Sequence, residues 1–163
     1  MRRERVYKKF YEPDPQFGRI DIGRFINSVM RDGKKSIAEK IVFDAFEHLR
    51  KETKEDPIVI FEKAIENTSP ALEVRSRRIG GANYQVPYEV RPARRFTLAV
   101  RWIIAGARAR TGKPMAKRLS EELLAASKGE GSAIKKKQDM HRMAEGNRAF
   151  AHFAKSPKKK VNV

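Results

Sequence analysis

Arg75, Arg77, Arg78, Arg91, Arg94 and Arg95 crowd around one short stretch of this chain, and Arg94, Arg101 and Arg108 then recur at seven-residue spacing. Guanidinium groups stay protonated, so their chemistry is charge pairing: they neutralise phosphates and displace condensed counterions. Residues for bond-making chemistry are missing from the sequence. There is no Cys to act as a nucleophile or thiolate ligand. The histidines, His48, His141 and His152, are scattered, and none sits in a motif with Ser or Asp that suggests a triad. Asp21 and Asp32 fit helix ends, and no carboxylate cluster suggests two-metal phosphoryl transfer. Thr111-Gly112-Lys113-Pro114 is not a phosphate loop: Pro follows the Lys, and a helical pattern precedes it instead of a strand. The residues point to binding, with no enzyme, metal or cofactor called for.

The partner is a polyanion. The chain of 163 residues carries a net charge of +17 and a pI near 10.4, which is an argument about partners rather than fold. The charge is unevenly placed. Residues 34–66 hold seven Lys/Arg against eight acids, whereas residues 75–118 hold twelve against the single acid Glu89. Residues 128–163 hold ten against three. A merely solvated surface mixes signs. A membrane surface is the less suitable polyanion, because the large apolar residues are claimed by core faces. No apolar run reaches membrane-spanning length and no signal peptide opens the chain. A reducing, cytosolic setting fits.

Elements must hold these cations. Between Pro70 and Arg95 two runs of strand type flank Gly80-Gly81, a pair suited to the positive φ of a hairpin turn. In the first run Leu72, Val74 and Ser76 share one face and Glu73, Arg75 and Arg77 the other; in the second, Tyr84, Val86, Tyr88 and Val90 share a face. Pro87 restricts the second strand to an edge. Every other periodic segment is helical, so the ribbon at 72–91 leans on helices or protrudes toward a partner. Arginines also guard a strand edge against aggregation, but that takes only one or two charges.

The helical pattern predicts six helices. The first spans Asp21–Arg31, capped by Asp21, with Phe25, Ile26, Val29 and Met30 inward. The second runs from Lys35 to Glu52, with Ser36 and Glu39 at capping-box spacing and Ile37, Ile41, Ala45 and Leu49 as its apolar line. The third starts at Asp56-Pro57 and ends at Ser69-Pro70. The fourth, Ala93–Arg110, gathers Phe96, Ala99, Val100, Ile103 and Ala107 on one side, with Arg94, Arg101 and Arg108 opposite and no acid of its own to pair with them. The fifth follows Pro114 and turns Leu119, Leu123 and Ala126 inward. The sixth covers Ser132–Phe153, with Met140, Met143, Ala144, Phe150 and Ala151 as contacts. Lys135, Lys136 and Lys137 stand near its N-terminus, where the helix dipole disfavours cations unless an anion sits there. The domain reading is a basic arm and extended connector at 1–19, a helical domain at 20–153 and a Lys-rich tail at 154–163.

The run Leu72-Glu-Val-Arg-Ser-Arg-Arg-Ile-Gly-Gly-Ala-Asn-Tyr-Gln-Val-Pro-Tyr-Glu-Val-Arg-Pro-Ala-Arg-Arg95 closely resembles the hairpin signature of the family of small-subunit ribosomal protein seven, in its bacterial and organellar form. So do Phe25-Ile-Asn-Ser-Val-Met-Arg-Asp-Gly-Lys-Lys-Ser36 and His141-Arg-Met-Ala-Glu-Gly-Asn-Arg-Ala-Phe-Ala-His152. The motifs fall in order over nearly the whole chain. Ile79 and Asn83 stand where the family pattern has Val and Thr, and the tail departs from it.

The resemblance implies a mainly α fold, a six-helix domain with a protruding two-stranded antiparallel β-hairpin arm. It implies a primary rRNA-binding protein that nucleates assembly of the small-subunit head, the 3′ major domain of the rRNA. It further implies a place at the subunit interface near the exit-site tRNA and the mRNA exit path, beside ribosomal proteins nine and eleven, as a monomer within the cytoplasmic ribosome. The matching motifs put Arg75, Arg77, Arg78, Gly80 and Gly81 on the arm, and make Lys34, Lys35, Arg94 and Arg95 candidate rRNA contacts. Charge and position add Arg2, Arg3, Arg5, Arg91, Arg101, Arg108, Lys113, Lys135, Lys136 and Arg142. An architectural DNA-binding protein is the alternative that the same charge and ribbon would serve.

Overall fold

The computed structural model describes residues 11–154. Within them six α-helices, one 3-10 helix and one two-stranded sheet follow in the order α1 (Ile20–Val29), α2 (Lys35–Thr53), α3 (Pro57–Thr68), β1 (Leu72–Ile79), β2 (Ala82–Glu89), α4 (Pro92–Ala109), α5 (Met115–Ser127), α6 (Ser132–Gly146) and the 3-10 helix Arg148–Ala154. The fold class is the one expected: mainly helical, with a single antiparallel hairpin. Residues 1–10 and 155–163, which include Arg2, Arg3, Arg5 and most of the tail, lie outside the described residues.

The core is built from one face of each helix. Phe25 and Ile26 of α1, Val42, Phe46 and Leu49 of α2, Ile60 and Phe61 of α3, Val100 and Ile103 of α4, and Leu119 and Leu123 of α5 are all essentially fully buried. Phe61 meets Phe25 edge-on at a centroid distance of 5.1 Å and Phe46 at 5.8 Å, which ties α1, α2 and α3 together. Asp56 caps α3 as expected, accepting the Ile58 N–H at 3.0 Å with Pro57 in the first turn. Helix α4 is buried more widely than its single stripe suggested. Leu98, Trp102 and Ile104 join the core because α4 is packed by α1, α3, α5 and α6.

Several expectations are corrected by local physics. The first helix ends two residues short of Arg31, and Asp21 lies inside its first turn rather than at its cap. Asp14, which is 4% exposed, closes the turn before the helix by accepting the N–H groups of Gln16, Phe17 and Arg19 at 3.1, 2.7 and 2.8 Å. Residues 11–19 therefore end in a fixed turn instead of an extended connector. Asp21 instead pairs with Arg19 at 2.7 Å. Burial alone would push the Asp21 carboxyl up, but Arg19 holds it below its ordinary range.

The Ser36/Glu39 capping box does not form. Ser36 is already inside α2, the N-cap is Lys34, and Ile37 turns outward while Ala38 takes the buried position. The sixth helix stops at Gly146 rather than Phe153. Gly146 and Asn147 are poor helix residues, and the Asn147 side chain donates to the Met143 carbonyl at 2.8 Å. A 3-10 turn then folds Phe150 and Phe153 onto the ribbon, while Met143 and Ala151 face solvent.

Candidate nucleic-acid interface

The ribbon is the first part of the interface. Gly80 and Gly81 sit at φ +56° and +91°, the left-handed pair a tight two-residue hairpin needs. The register pairs Arg75 with Val86, Arg77 with Tyr84 and Arg78 with Asn83. Arg75 and Arg77 thus share the face of Tyr84, Val86 and Tyr88, while Arg78 points the other way. The ribbon is anchored both near its turn and at its base. Tyr84 packs on Phe150 and Phe153 at 5.1 and 5.6 Å, and the Ala71 N–H donates to His141 Nε2 at 3.1 Å. The tip, with Arg78, Gly80, Gly81, Ala82 and Asn83, is exposed.

A buried acid joins the ribbon to α4. Glu73 is 4% exposed, and its carboxylate accepts from Arg75 and, at 2.8 Å, from Arg94 Nε. The arginine stripe of α4 is therefore continuous with the ribbon, but through an ion pair with an acid outside the helix. Arg75 also lies over the Tyr88 ring at 5.5 Å. Arg77 donates to the Phe153 carbonyl, so it holds the 3-10 helix against the ribbon.

The second part is the surface between α1, α2 and α4. Arg101 and Arg108 are exposed and line a groove of about 700 Å³ with Ser28 and Thr97. Arg108 also lines a neighbouring groove of about 280 Å³ with Arg31, Lys34 and Arg118. Among the described residues no carboxylate lines either groove. Burial, and next the positive charge of Arg31, pull the Arg108 guanidinium below its ordinary pKa; the local field there is short of negative charge. Arg31 carries no weight in the sequence pattern; its standing comes from space, where it meets Arg108 of a distant helix. Arg118 likewise owes its standing to space: it donates to the Arg108 and Arg110 carbonyls at the end of α4, where it satisfies orphan acceptors.

Other candidates are committed within the protein. Arg95 donates to the Val90 carbonyl at 3.0 Å. Lys113 pairs with Glu121, Arg142 with Asp139 at 2.6 Å, and Lys35 more loosely with Glu12 and Glu39 at 3.9 and 4.0 Å. Among the described residues Lys34, Arg78, Arg91, Arg101, Lys135 and Lys136 make no ion pair.

The anion expected at the start of α6 is present, and it belongs to the protein. Glu122 is 1% exposed; its Oε1 accepts the Ala133 N–H at 3.0 Å and the Ser132 hydroxyl at 2.8 Å. Its Oε2 receives Arg110 at 2.7 and 3.0 Å. The dipole end of α6 is thus satisfied internally, which removes the reason to place a phosphate there. Lys137 turns back to the Asn67 carbonyl at 2.6 Å, leaving Lys135 and Lys136 exposed.

Comparison with known proteins places this arrangement in context. The sequence pattern of the family described as ribosomal protein S7p/S5e matches residues 1–148. The small ribosomal subunit protein uS7 of Thermotoga maritima is 56% identical, over 94% of this chain and 99% of its own. The protein of the same name from Afipia carboxidovorans is 55% identical, and that of Xanthobacter autotrophicus 56%, each over 93% of this chain and 97% of the relative.

Proposed function

The chain belongs to the ribosomal protein S7p/S5e family, is of bacterial type and is a structural constituent of the small ribosomal subunit; from that premise we propose that it is a primary rRNA-binding protein of the head. In this reading it binds the 3′ major domain of the small-subunit rRNA and nucleates assembly there. It sits near the exit-site tRNA and the mRNA exit path, with ribosomal proteins nine and eleven as neighbours. Its work is structural.

The observation that carries the reading is the continuity of the basic surface. The exposed ribbon carries Arg78 on one face, and on the other the Arg75–Glu73–Arg94 link leads to α4 with Arg101, and on to two grooves without a carboxylate among the described residues. A chain of cations on rigid elements tracks a phosphate backbone. Ribbon and helix read the shape of a folded RNA, where rRNA helices converge, more than base identity.

The test is binding to a folded 3′ major domain fragment against a length-matched unrelated duplex, across a salt series. The expected preference at physiological salt is about a thousandfold or more, in the range of site-specific binding. Equal affinity for both, fading together with salt, would leave only general polyanion attraction. Preference for duplex DNA would favour an architectural DNA-binding role instead.

A further inference from the structure

Arg24 lies between two aromatic rings. Its guanidinium carbon is 4.9 Å from the centroid of Tyr11 and 4.3 Å from that of Phe96. The stack joins the chain before α1, α1 itself and the first turns of α4. Phe96 is half-buried, whereas Tyr11 is 39% exposed. The Arg24 side chain finds no hydrogen-bond acceptor among the described residues. A buried stack would be explained by packing alone; this one ends in an exposed phenol ring, the only large aromatic side chain that exposed among the described residues.

The surroundings suit a nucleotide strand. One helical turn on from Arg24 is Ser28, and one turn on from Phe96 is Val100; both line the α1/α4 groove together with Thr97, Arg101 and Arg108. The two helices meet again at its far end, where Arg108 donates to the Val29 carbonyl at 3.3 Å. Arg101 lies about 7.5 Å along the helix axis from Phe96, five residues at the α-helical rise. That is about two nucleotide steps at the per-strand rise of stacked bases. Ser28 and Thr97 each spend their hydroxyl proton on their own helix, at the Arg24 and Ala93 carbonyls. Their oxygens are left as acceptors, the complement of a ribose 2′-OH donor.

We propose that Tyr11, backed by Arg24 and Phe96, is a base-stacking platform, and that the adjoining α1/α4 groove takes the phosphates of the same unpaired RNA strand on Arg101 and Arg108. The inference rests on the rRNA-binding reading and names a contact within it: an unpaired base at a bulge, loop or junction, extending the Tyr11–Arg24–Phe96 stack. Duplex RNA offers no free base face to this platform.

The experiment uses the full chain and two probes: the folded 3′ major domain fragment and a single-stranded oligoribonucleotide. Tyr11→Leu should weaken both complexes roughly tenfold, as loss of one base–aromatic stack does, and Tyr11→Phe should bind like the native chain. The slope of log affinity against log salt should not change in Tyr11→Leu, because stacking releases no counterion. Tyr11→Trp should lose emission when the single strand binds but not with duplex, over a background from Trp102, which is 9% exposed. Native affinity in Tyr11→Leu would overturn the proposal. So would a reduced salt slope, which would mean that Tyr11 only positions the basic residues that precede it. If rRNA preference fails while single-strand quenching of Tyr11→Trp persists, the platform stands and the ribosomal-head reading falls. Absence of quenching with either probe removes the platform alone.

Discussion

Glu122→Gln changes one atom at the centre of the fold and should destabilise the domain by about 2 kcal/mol. The substitution keeps shape, so no cavity forms. In the native chain one carboxylate oxygen serves Ser132 and Ala133 at the start of α6, and the other receives two N–H groups of Arg110. A glutamine cannot do both. With its oxygen toward Ala133, its NH₂ faces the Arg110 donors; with the amide turned round, the buried Ala133 N–H loses its acceptor. A buried polar group left without its partner costs about 1–3 kcal/mol, and a broken buried ion pair about 3–5. Arg110 is 37% exposed on its side chain and can turn to water, which argues for the lower range. At about 2–4 °C per kcal/mol for a chain of this size, Tm should fall by about 4–8 °C. Thermal and urea unfolding followed by far-UV circular dichroism and Trp102 emission will measure it. A midpoint shift worth less than about 0.5 kcal/mol, the range of an unremarkable surface change, would refute the reasoning. So would full additivity with Arg110→Gln, because residues sharing an ion pair must couple.

Gly106→Ala should also destabilise, by about 1–3 kcal/mol, since a Cβ there overlaps Ser132 Oγ and Glu122 Oε1; an unchanged unfolding midpoint would show that the contact yields freely. Arg78→Ala should weaken rRNA binding and lower the salt slope by about 0.7–0.9 with no change in unfolding. Arg77→Ala should in addition raise hydrogen exchange in residues 148–154, because Arg77 holds the Phe153 carbonyl; equal exchange in the two variants would count against that anchor. His141 should make stability fall in mild acid. Burial, and then the charge of Lys137, hold its pKa below the ordinary 6.5, while its Nε2 accepts from Ala71. The unfolded chain therefore takes up the proton first. Stability is full above about pH 6.5 and is lost as pH falls through the lower folded value. The urea midpoint from pH 7.5 to 5 will show this, and His141→Gln should flatten that part of the profile.

Local patterns in the sequence are reliable here wherever a single element decides them. The Gly80-Gly81 turn, the Asp56-Pro57 start and the Leu119, Leu123 and Ala126 face of α5 need no distant partner, and each is found in the structure. The errors lie where tertiary neighbours decide. Ser36 and Glu39 have the spacing of a capping box, but the chain enters α2 from Lys34 and leaves the motif inside the helix. Met143 has a core-facing period, yet the fold leaves it about half exposed, at 49%. For the interface, residue type announced the basic surface but not which cations remain available. Arg94 and Arg101 look alike in their seven-residue repeat; only the fold brings Glu73 to one of them. Glu122 is read in sequence as one of two adjacent acids on a helix, and its burial depends on Gly106 of α4 allowing close approach.

A few buried acids place negative charge inside this strongly basic chain. Asp14, Glu73 and Glu122 are each at most 4% exposed; Asp14 closes its own turn before α1, whereas Glu73 and Glu122 draw N–H groups or guanidinium groups from separate elements. Glu73 joins the ribbon to α4, and Glu122 joins α4, α5 and α6. These two carboxylates therefore lower like-charge repulsion where several elements converge. The same pairings remove Arg94, Arg110 and, in part, Arg75 from the charge available to a partner. Of the candidate contacts, Lys34, Arg78, Arg91, Arg101, Lys135 and Lys136 make no ion pair among the described residues and are spread over the ribbon, α4 and the entries to α2 and α6. A wide spacing of that kind suits an RNA whose helices converge on the domain rather than one straight duplex. It follows that single removals from this set should weaken rRNA binding by similar steps and lower the salt slope additively, whereas Glu73→Gln should disturb the angle of the ribbon. Equal salt slopes for native chain and an Arg78/Arg101 double alanine variant would refute this division between cations that hold the fold and cations that meet the RNA.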